Sequence, residues 1–192
     1  MQAIEPFPRH RLSVGDFHKM AEAGIFAPED RIELIEGELV DMAPVGSAHA
    51  SLIDYLTQAL VAQTQKKNQA IVRVQSPVVL GDRSEPQPDI ALLKPRKDFY
   101  RHAHPQARDI LCLIEVADTS LVYDRDTKLP LYAKNGIVEV GLIVLGERRV
   151  EIYRLPHPGQ RLYQDRQIHT RGQAALTGLD TVHIDVDALF KD

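Results

Sequence analysis

The sequence predicts an α/β domain with a mixed sheet (α+β), because two kinds of apolar pattern alternate along the chain. A continuous apolar run at residues 110–114 is bounded by polar residues on both sides, which favours a strand buried on both faces. An amphipathic stripe with helical spacing precedes it, formed by Leu52, Leu56, Ala59 and Leu60. The 192 residues are enough for one domain with a sizeable core, and we expect a single domain over residues 1–192.

The N-terminal elements follow from local signals. Residues 1–12 contain two prolines and are expected to form a loose arm. Ser13 and Asp16 have the spacing of a capping box, which predicts a short helix over 13–23. Residues 32–42 are typical of a tight hairpin that turns at Glu36 and Gly37. Ser47 is expected to be the N-cap of a helix that extends to about residue 67.

The remaining elements give the order of the core. Strands are predicted over 71–80 and 89–93, followed by a polar loop over 94–109 and the strand that starts at Ile110. A helix is predicted over 127–135, with Pro130 in its first turn and Gly136 as its stop. A hairpin over 138–153, short strands and a turn at 187–190 complete the chain. The core order is therefore helix, three strands, helix, strand.

Composition excludes some classes of protein. The chain has 23 Lys and Arg against 27 Asp and Glu, a net charge of −4, so strong nonspecific affinity for nucleic acid is not expected, although a local basic cleft remains possible. The single Cys112 permits no internal disulfide. No apolar stretch approaches the ~18 residues of a membrane span, and the N-terminus lacks a signal-peptide pattern. We expect a cytoplasmic protein without membrane association.

Two carboxylates occupy the ends of adjacent predicted strands. Asp89 opens one apolar strand and Glu115 closes the next. Burying a lone carboxylate costs several kcal/mol, so each needs a partner. If the strands are neighbours, the two groups repel each other by ~3 kcal/mol at ~5 Å and an effective dielectric constant of ~20. A divalent cation would turn that repulsion into attraction, and oxygen ligands favour magnesium, with manganese as a substitute.

Lys128 is unusual for a related reason. The predicted helix places it in the first turn, where a cation is disfavoured by ~0.3–1 kcal/mol. An anionic neighbour would explain it, and Glu115 and a substrate phosphate are both candidates.

The chain resembles the Uma-type putative restriction endonucleases of the PD-(D/E)XK nuclease superfamily over roughly residues 10–190. The matching segments are ELIEGELV at 33–40, QSPV at 75–78, SEPQPD at 84–89, IEV at 114–116, YDR at 123–125 and KLPLYA at 128–133. The resemblance implies an αβββαβ nuclease core preceded by an extra helix and hairpin. One departure is visible, because the family's Tyr-Trp pair is replaced here by Val140 and Gly141.

The resemblance also implies the site. Asp89 and Glu115, with the backbone carbonyl of Val116, would bind the metal. In the superfamily a lysine follows the glutamate by two residues; that position is Ala117 here, and Lys128 would supply the amine from the next helix. The implied activity is Mg²⁺-dependent (Mn²⁺ as substitute) endonuclease cleavage of DNA, with a homodimer expected for cutting both strands. The alternatives are an inactive nucleic-acid-binding or interaction protein on the same fold, and cleavage of RNA or another phosphodiester.

Other candidate site residues have a purely structural interpretation as well as a functional one. His49 either packs in the first turn of its helix or lines the site as a catalytic group. Glu38 is a candidate outer ligand for metal or water, and Gln87 a candidate contact to the scissile phosphate. The basic residues of the 94–109 loop are either solvated surface or nucleic-acid contacts, since the loop joins the two strands that carry the carboxylates; these residues are Arg96, Lys97 and Arg101.

Overall fold

A computed structural model describes residues 9–179 and 181–191. It begins with helix α1 (Val14–Glu22), which has the predicted capping box between Ser13 and Asp16. The hairpin of β1 (Ile32–Ile35) and β2 (Glu38–Asp41) follows and turns at Gly37 as predicted. Gly37 has a φ of +83°, and a Cβ there would lie 2.8 Å from the Cβ of Arg11, so the turn requires glycine.

The predicted N-terminal arm falls partly outside the described residues, which begin at Arg9. The described part of it lies against the hairpin, because the Leu12 N–H donates to the Gly37 carbonyl at 3.0 Å.

The centre of the molecule is a six-stranded mixed sheet. Its strands, in spatial order, are β3 (Ile71–Val74), β4 (Ile90–Leu93), β5 (Ile110–Ala117), β6 (Glu139–Val144), β7 (Arg149–His157) and β8 (Leu162–His169). The pair β5–β6 is parallel and the other pairs are antiparallel. Every residue of β4 is buried, as is all but one of β5, in agreement with strands covered on both faces.

Two apolar layers cover the sheet. Helix α2 (Ser47–Gln65) packs on one face through Ile53, Leu56 and Leu60, together with β9 (Gln173–Ala175), β10 (His183–Asp185) and α5 (Val186–Leu189). The other face holds the N-terminal hairpin and a helical segment formed by α3 (Leu121–Tyr123), a wide turn and α4 (Leu129–Lys134). The order α2, β3, β4, β5, α3–α4, β6 is the predicted αβββαβ core.

Three predicted details are wrong. The strand over 71–80 ends at Val74, because Gln75 adopts a φ of +41° and Pro77 cannot donate to a ladder. The N-cap of α2 is Gly46, and Ser47, the predicted N-cap, is already the first residue of the helix. Strand β8 has eight residues, where only short strands were expected.

Among the described residues, no helix is both long enough and apolar enough to cross a bilayer.

The helix that carries Lys128 also differs from the prediction. The regular helix α4 has Lys128 as its N-cap residue and Pro130 in its first turn, as predicted, but α3 and residues 124–128 continue it upstream without a break, so Lys128 does not lie at a free helix N-terminus. Residues 124–128 form a π turn, closed by a bond from the Leu129 N–H to the Asp124 carbonyl. This wider turn relieves the clash that a proline ring makes with the preceding turn, which is why Pro130 fits inside the segment. The prediction that Lys128 lies at the positive end of a helix dipole is therefore wrong. The anionic partners of Lys128 come from other segments of the chain.

Candidate active site

The start of β4 and the end of β5 bring Asp89 and Glu115 together. The register that pairs Ile90 with Ile114 places Asp89 opposite Glu115 on one face of the sheet. The Asp89 N–H donates to Oε2 of Glu115 at 3.3 Å, and the Val116 N–H donates to Oδ2 of Asp89 at 2.9 Å. Both side chains are buried, so the strand pairing alone produces the convergence of carboxylates that the sequence suggested.

Lys128 reaches this point from the opposite side. Its Nζ lies 3.3 Å from Oε1 of Glu115 and 3.1 Å from Oε1 of Glu33. The π turn places Asp124 on the same side of the helical segment as Lys128, and both are buried. Since π turns inside helices often occur at functional sites, this departure from regular geometry marks the segment that delivers the amine.

Glu33 is a member of the site that the sequence analysis did not select. It belongs to β1 and is 1% exposed. Its Oε1 accepts a hydrogen bond of 2.9 Å from the Gln87 N–H and also contacts Nζ of Lys128. The Tyr123 hydroxyl donates to its other oxygen. A signal was available: Glu33 is a charged residue between Ile32 and Leu34 in a short apolar strand, where a buried carboxylate needs a cation.

His49 and Gln75 hold Asp89 from the side. Nε2 of His49, in the first turn of α2, lies 3.1 Å from Oδ2 of Asp89, and its Nδ1 is buried without a hydrogen-bond partner among the described residues. The side-chain amide of Gln75 donates to Oδ1 at 3.2 Å. The positive φ of Gln75 ends β3 at this point and thereby turns its side chain toward the carboxylate.

Tyr132 holds Glu115 from below. Its hydroxyl is fully buried and donates a very short hydrogen bond to Oε1 of Glu115. The same burial, with Glu115 close by, raises the pKa of Tyr132 well above its ordinary value, so this hydroxyl remains a donor.

The site carries more negative charge than its cations balance. Burial, reinforced by the nearby carboxylates of Asp124 and Asp89, outweighs Lys128 and raises the pKa of Glu115 to about 8. Burial lowers the pKa of Lys128, but the surrounding carboxylates of Glu115, Glu33 and Asp124 outweigh it and hold that pKa above its usual value. Lys128 therefore stays charged, while several acids share its one charge.

Asp89 and His49 behave as a matched pair. Burial would raise the pKa of Asp89, but the bonds from His49 and the Val116 N–H outweigh it and hold that pKa below its usual value. The hydrogen bond to Asp89 raises the pKa of His49 against the effect of burial. Asp89 is thus ionised at neutral pH, and His49 contacts it through Nε2.

The donor chemistry fits a hard divalent cation. A carboxylate offers about four lone pairs, and the contacts above leave at least one free on Asp89 and on Glu115. The Val116 carbonyl, the third expected ligand, belongs to the residue whose N–H donates to Asp89. No cluster of three or more His, Cys, Asp or Glu ligands occurs within the described residues, so carbonyl and water oxygens would complete the coordination.

A pocket of about 290 Å³ opens above these groups. Its floor contains Glu33, Asp89, Glu115 and Lys128, and its rim is formed by residues 40–46, at the end of β2 and in the loop that follows it, and by 118–120 after β5. A ligand can therefore approach the carboxylates from solvent between the hairpin and the β5 end.

The other candidate residues lie elsewhere or have different partners. Glu38 is exposed and forms a 2.7 Å ion pair with Arg11, on the turn side of Val40 and away from the pocket. The Gln87 amide lines the pocket but donates to the Ile32 carbonyl at 3.1 Å, so it fastens the hairpin to the sheet.

The basic loop is not near the carboxylates. It joins the end of β4 to the start of β5, whereas Asp89 precedes β4 and Glu115 is near the end of β5, so roughly 15 Å of strand separates them. Arg96 forms a two-point pair with Asp98 and stacks over Tyr100, while Lys97 and Arg101 are exposed. The proximity that motivated these three residues as nucleic-acid contacts is absent.

Comparison with known proteins agrees with this architecture. The family model Uma2, described as a putative restriction endonuclease, matches residues 14–187. A crystal structure of a putative nuclease belonging to DUF820, from Anabaena variabilis ATCC 29413, superposes with a TM-score of 0.69 at 17% identity, covering 93% of this chain and 97% of that one. At that identity the likeness concerns the fold. A search of curated proteins gave no significant match.

Proposed function

Because this chain belongs to the Uma2 family of putative restriction endonucleases, we propose that it is a metal-dependent endonuclease that hydrolyses phosphodiester bonds in DNA. The observation that carries the proposal is the buried group of Asp89, Glu115 and Lys128 at the floor of an open pocket. An inactive binding protein on the same fold would be expected to have lost at least one of these three residues, and all three are present.

Asp89, Glu115 and the Val116 carbonyl would hold Mg²⁺, or Mn²⁺ in its place. When bound, the metal would lower the pKa of a water molecule and neutralise charge on the phosphate. The surplus of buried carboxylates supports this assignment, since burial, together with the nearby Asp124 and Asp89, raises the pKa of Glu115, and a bound cation would favour its ionised form.

Lys128 would stabilise the developing charge. An ammonium group has three donors; Glu33 and Glu115 lie within ion-pair distance of it, and a donor on the pocket side would serve the attacking water or a phosphate oxygen. Because two carboxylates fix Lys128 in advance, little reorganisation is needed during the reaction. His49 is assigned a positioning role: its bond to Asp89 orients the carboxylate, and its raised pKa supplies positive charge at the pocket wall.

Cleavage of both strands of a duplex requires two active sites, so a homodimer with two-fold symmetry is part of the proposal. A cytoplasmic location, expected from the single cysteine, belongs to it as well.

The test is incubation of the purified chain with supercoiled, linear and single-stranded DNA, and with RNA, in magnesium, manganese, calcium or EDTA. We expect cleavage of DNA in magnesium and manganese and none in EDTA, and loss of cleavage in Asp89→Asn. Metal-dependent binding without cleavage of any substrate would favour the inactive binding protein.

A further inference from the structure

Three arginines converge on a single buried carboxylate beside the proposed active site. Oε1 of Glu151 lies 2.6 Å from Nη2 of Arg125, 2.8 Å from Nε of Arg149 and 2.9 Å from Nη2 of Arg166. The Tyr153 hydroxyl donates to the other oxygen, Oε2. Glu151 is fully buried, whereas the three arginine side chains are 30%, 20% and 44% exposed. The guanidinium groups therefore form a partly solvent-facing layer above one carboxylate.

This cluster has more positive than negative charge. Burial would raise the pKa of Glu151, but the bonds from Tyr153, Arg166 and Arg149 outweigh it and lower that pKa to about 2, so the residue is ionised at neutral pH. Glu147 makes a second ion pair, with Arg149. Three guanidinium groups still face two carboxylates, in a chain whose overall charge is −4.

The arginines also have unused donors. Each guanidinium has five N–H groups, and one carboxylate oxygen is the shared acceptor of all three here. The Nε of Arg125 is buried and has no acceptor among the described residues. An anion with several oxygens, placed on the exposed side, would accept from the solvent-facing N–H groups of these side chains in the two-point geometry that arginine forms with phosphate.

The sheet register places the cluster next to the active site. Glu115 is paired laterally with Leu142, and Leu142 with Glu151, so all three side chains project from the same face. Two strand spacings separate Glu151 from Glu115, which is about 10 Å. The π turn spans this distance, since Asp124 lines the pocket and the adjacent Arg125 contacts Glu151.

We propose that Arg125, Arg149 and Arg166 bind a backbone phosphate of the nucleic acid strand that the active site cuts. A strand has one phosphate per ~3.4 Å of helix axis, so a separation of ~10 Å corresponds to a phosphate within about three nucleotides of the scissile one. The inference rests on the proposed function, because it identifies the anion as part of the substrate. It assigns the basic contact surface to β7, β8 and the π turn rather than to the 94–109 loop.

The test compares two arginines of similar exposure at β8. Arg166→Gln removes a member of the cluster, and Arg161→Gln, which is 42% exposed and pairs with Glu36 at 2.8 Å, is the matched control for charge. Binding of a short labelled DNA duplex is measured by anisotropy in calcium over a range of salt concentrations. We expect Arg166→Gln to weaken binding about tenfold and to reduce the salt slope by about one, with Arg161→Gln equal to the wild type.

The outcomes separate this inference from the proposed function. If the wild type cleaves DNA and both variants bind it equally well, the phosphate site is wrong and the nuclease assignment stands. If duplex binding depends on Arg166 but the wild type cleaves no nucleic acid, the nuclease assignment is wrong and the phosphate site stands. Arg149→Gln gives a second measurement if Arg166→Gln lowers the Tm.

Discussion

The Nζ of Lys128 lies 3.1 Å from Oε1 of Glu33, although the two residues are about 95 positions apart in the chain. The contact joins the N-terminal hairpin to the helical segment that follows β5. The hairpin is therefore part of the site rather than an addition to the nuclease core.

The first prediction concerns this hairpin. Glu33→Gln removes one of the two carboxylates that fix the position of Lys128, so we expect turnover to fall by about 10-fold or more, because small displacements of a catalytic group are costly. Glu38→Gln, an exposed glutamate on the same hairpin, is the control and should leave turnover unchanged. Equal rates for the two variants under single-turnover conditions would remove Glu33 from the site.

The second prediction concerns Lys128 itself. Lys128→Ala should reduce the rate of cleavage by ~10²–10³, the scale for losing one preorganised charge-stabilising group. Metal affinity, measured by calorimetry, should be largely retained, since the carboxylates remain. Lys134→Ala, on the exposed end of α4 and paired with Glu36, is the control. Full activity in Lys128→Ala would contradict the role assigned to its amine.

The third prediction concerns pH. The folded pKa of Glu115, about 8, lies above its ordinary value of 4.5. The stabilisation from its proton is therefore complete below pH 4.5 and is lost as the pH rises through 8. We expect the Tm in EDTA to fall between about pH 5 and pH 9, and magnesium to reduce that fall because it binds the ionised form.

Glu115→Gln separates this effect from that of His49, whose raised pKa acts in the same direction. The variant should show a flatter Tm profile in EDTA and little response to magnesium. An unchanged pH profile would mean that another group takes up the proton.

The fourth prediction concerns the 94–109 loop. Replacing Arg96, Lys97 and Arg101 with alanine should leave the cleavage rate of a short duplex unchanged, because the loop lies at the opposite end of β4 and β5 from Asp89. The rate is measured at low and moderate salt concentrations. A lower cleavage rate at both would indicate that the loop contacts the substrate.

The order of the core elements could be predicted because their signals are local. Apolar runs, the Ser13 capping box and the Gly37 turn each specify an element over a few residues, and neighbouring strands then bring Asp89 and Glu115 together. The catalytic roles of these residues remain predictions.

Other features depend on contacts between distant segments. Glu33 and Tyr132 join the site only because the hairpin and α4 pack on the same face of the sheet. The contact between Lys128 and Glu115 was expected, but from a helix boundary that the π turn overrides. The arginine cluster draws its members from three elements, and no local pattern in the sequence indicates it.

The most direct test of the metal site is a calorimetric titration of the wild type, Asp89→Asn and Asp54→Asn with manganese and with magnesium. Asp54 is an exposed residue of α2 and controls for the loss of one carboxylate. We predict binding to the wild type and to Asp54→Asn, and a loss of most of that binding in Asp89→Asn. Equal binding by all three proteins would place the metal elsewhere and contradict the assignment of Asp89 and Glu115 as its ligands.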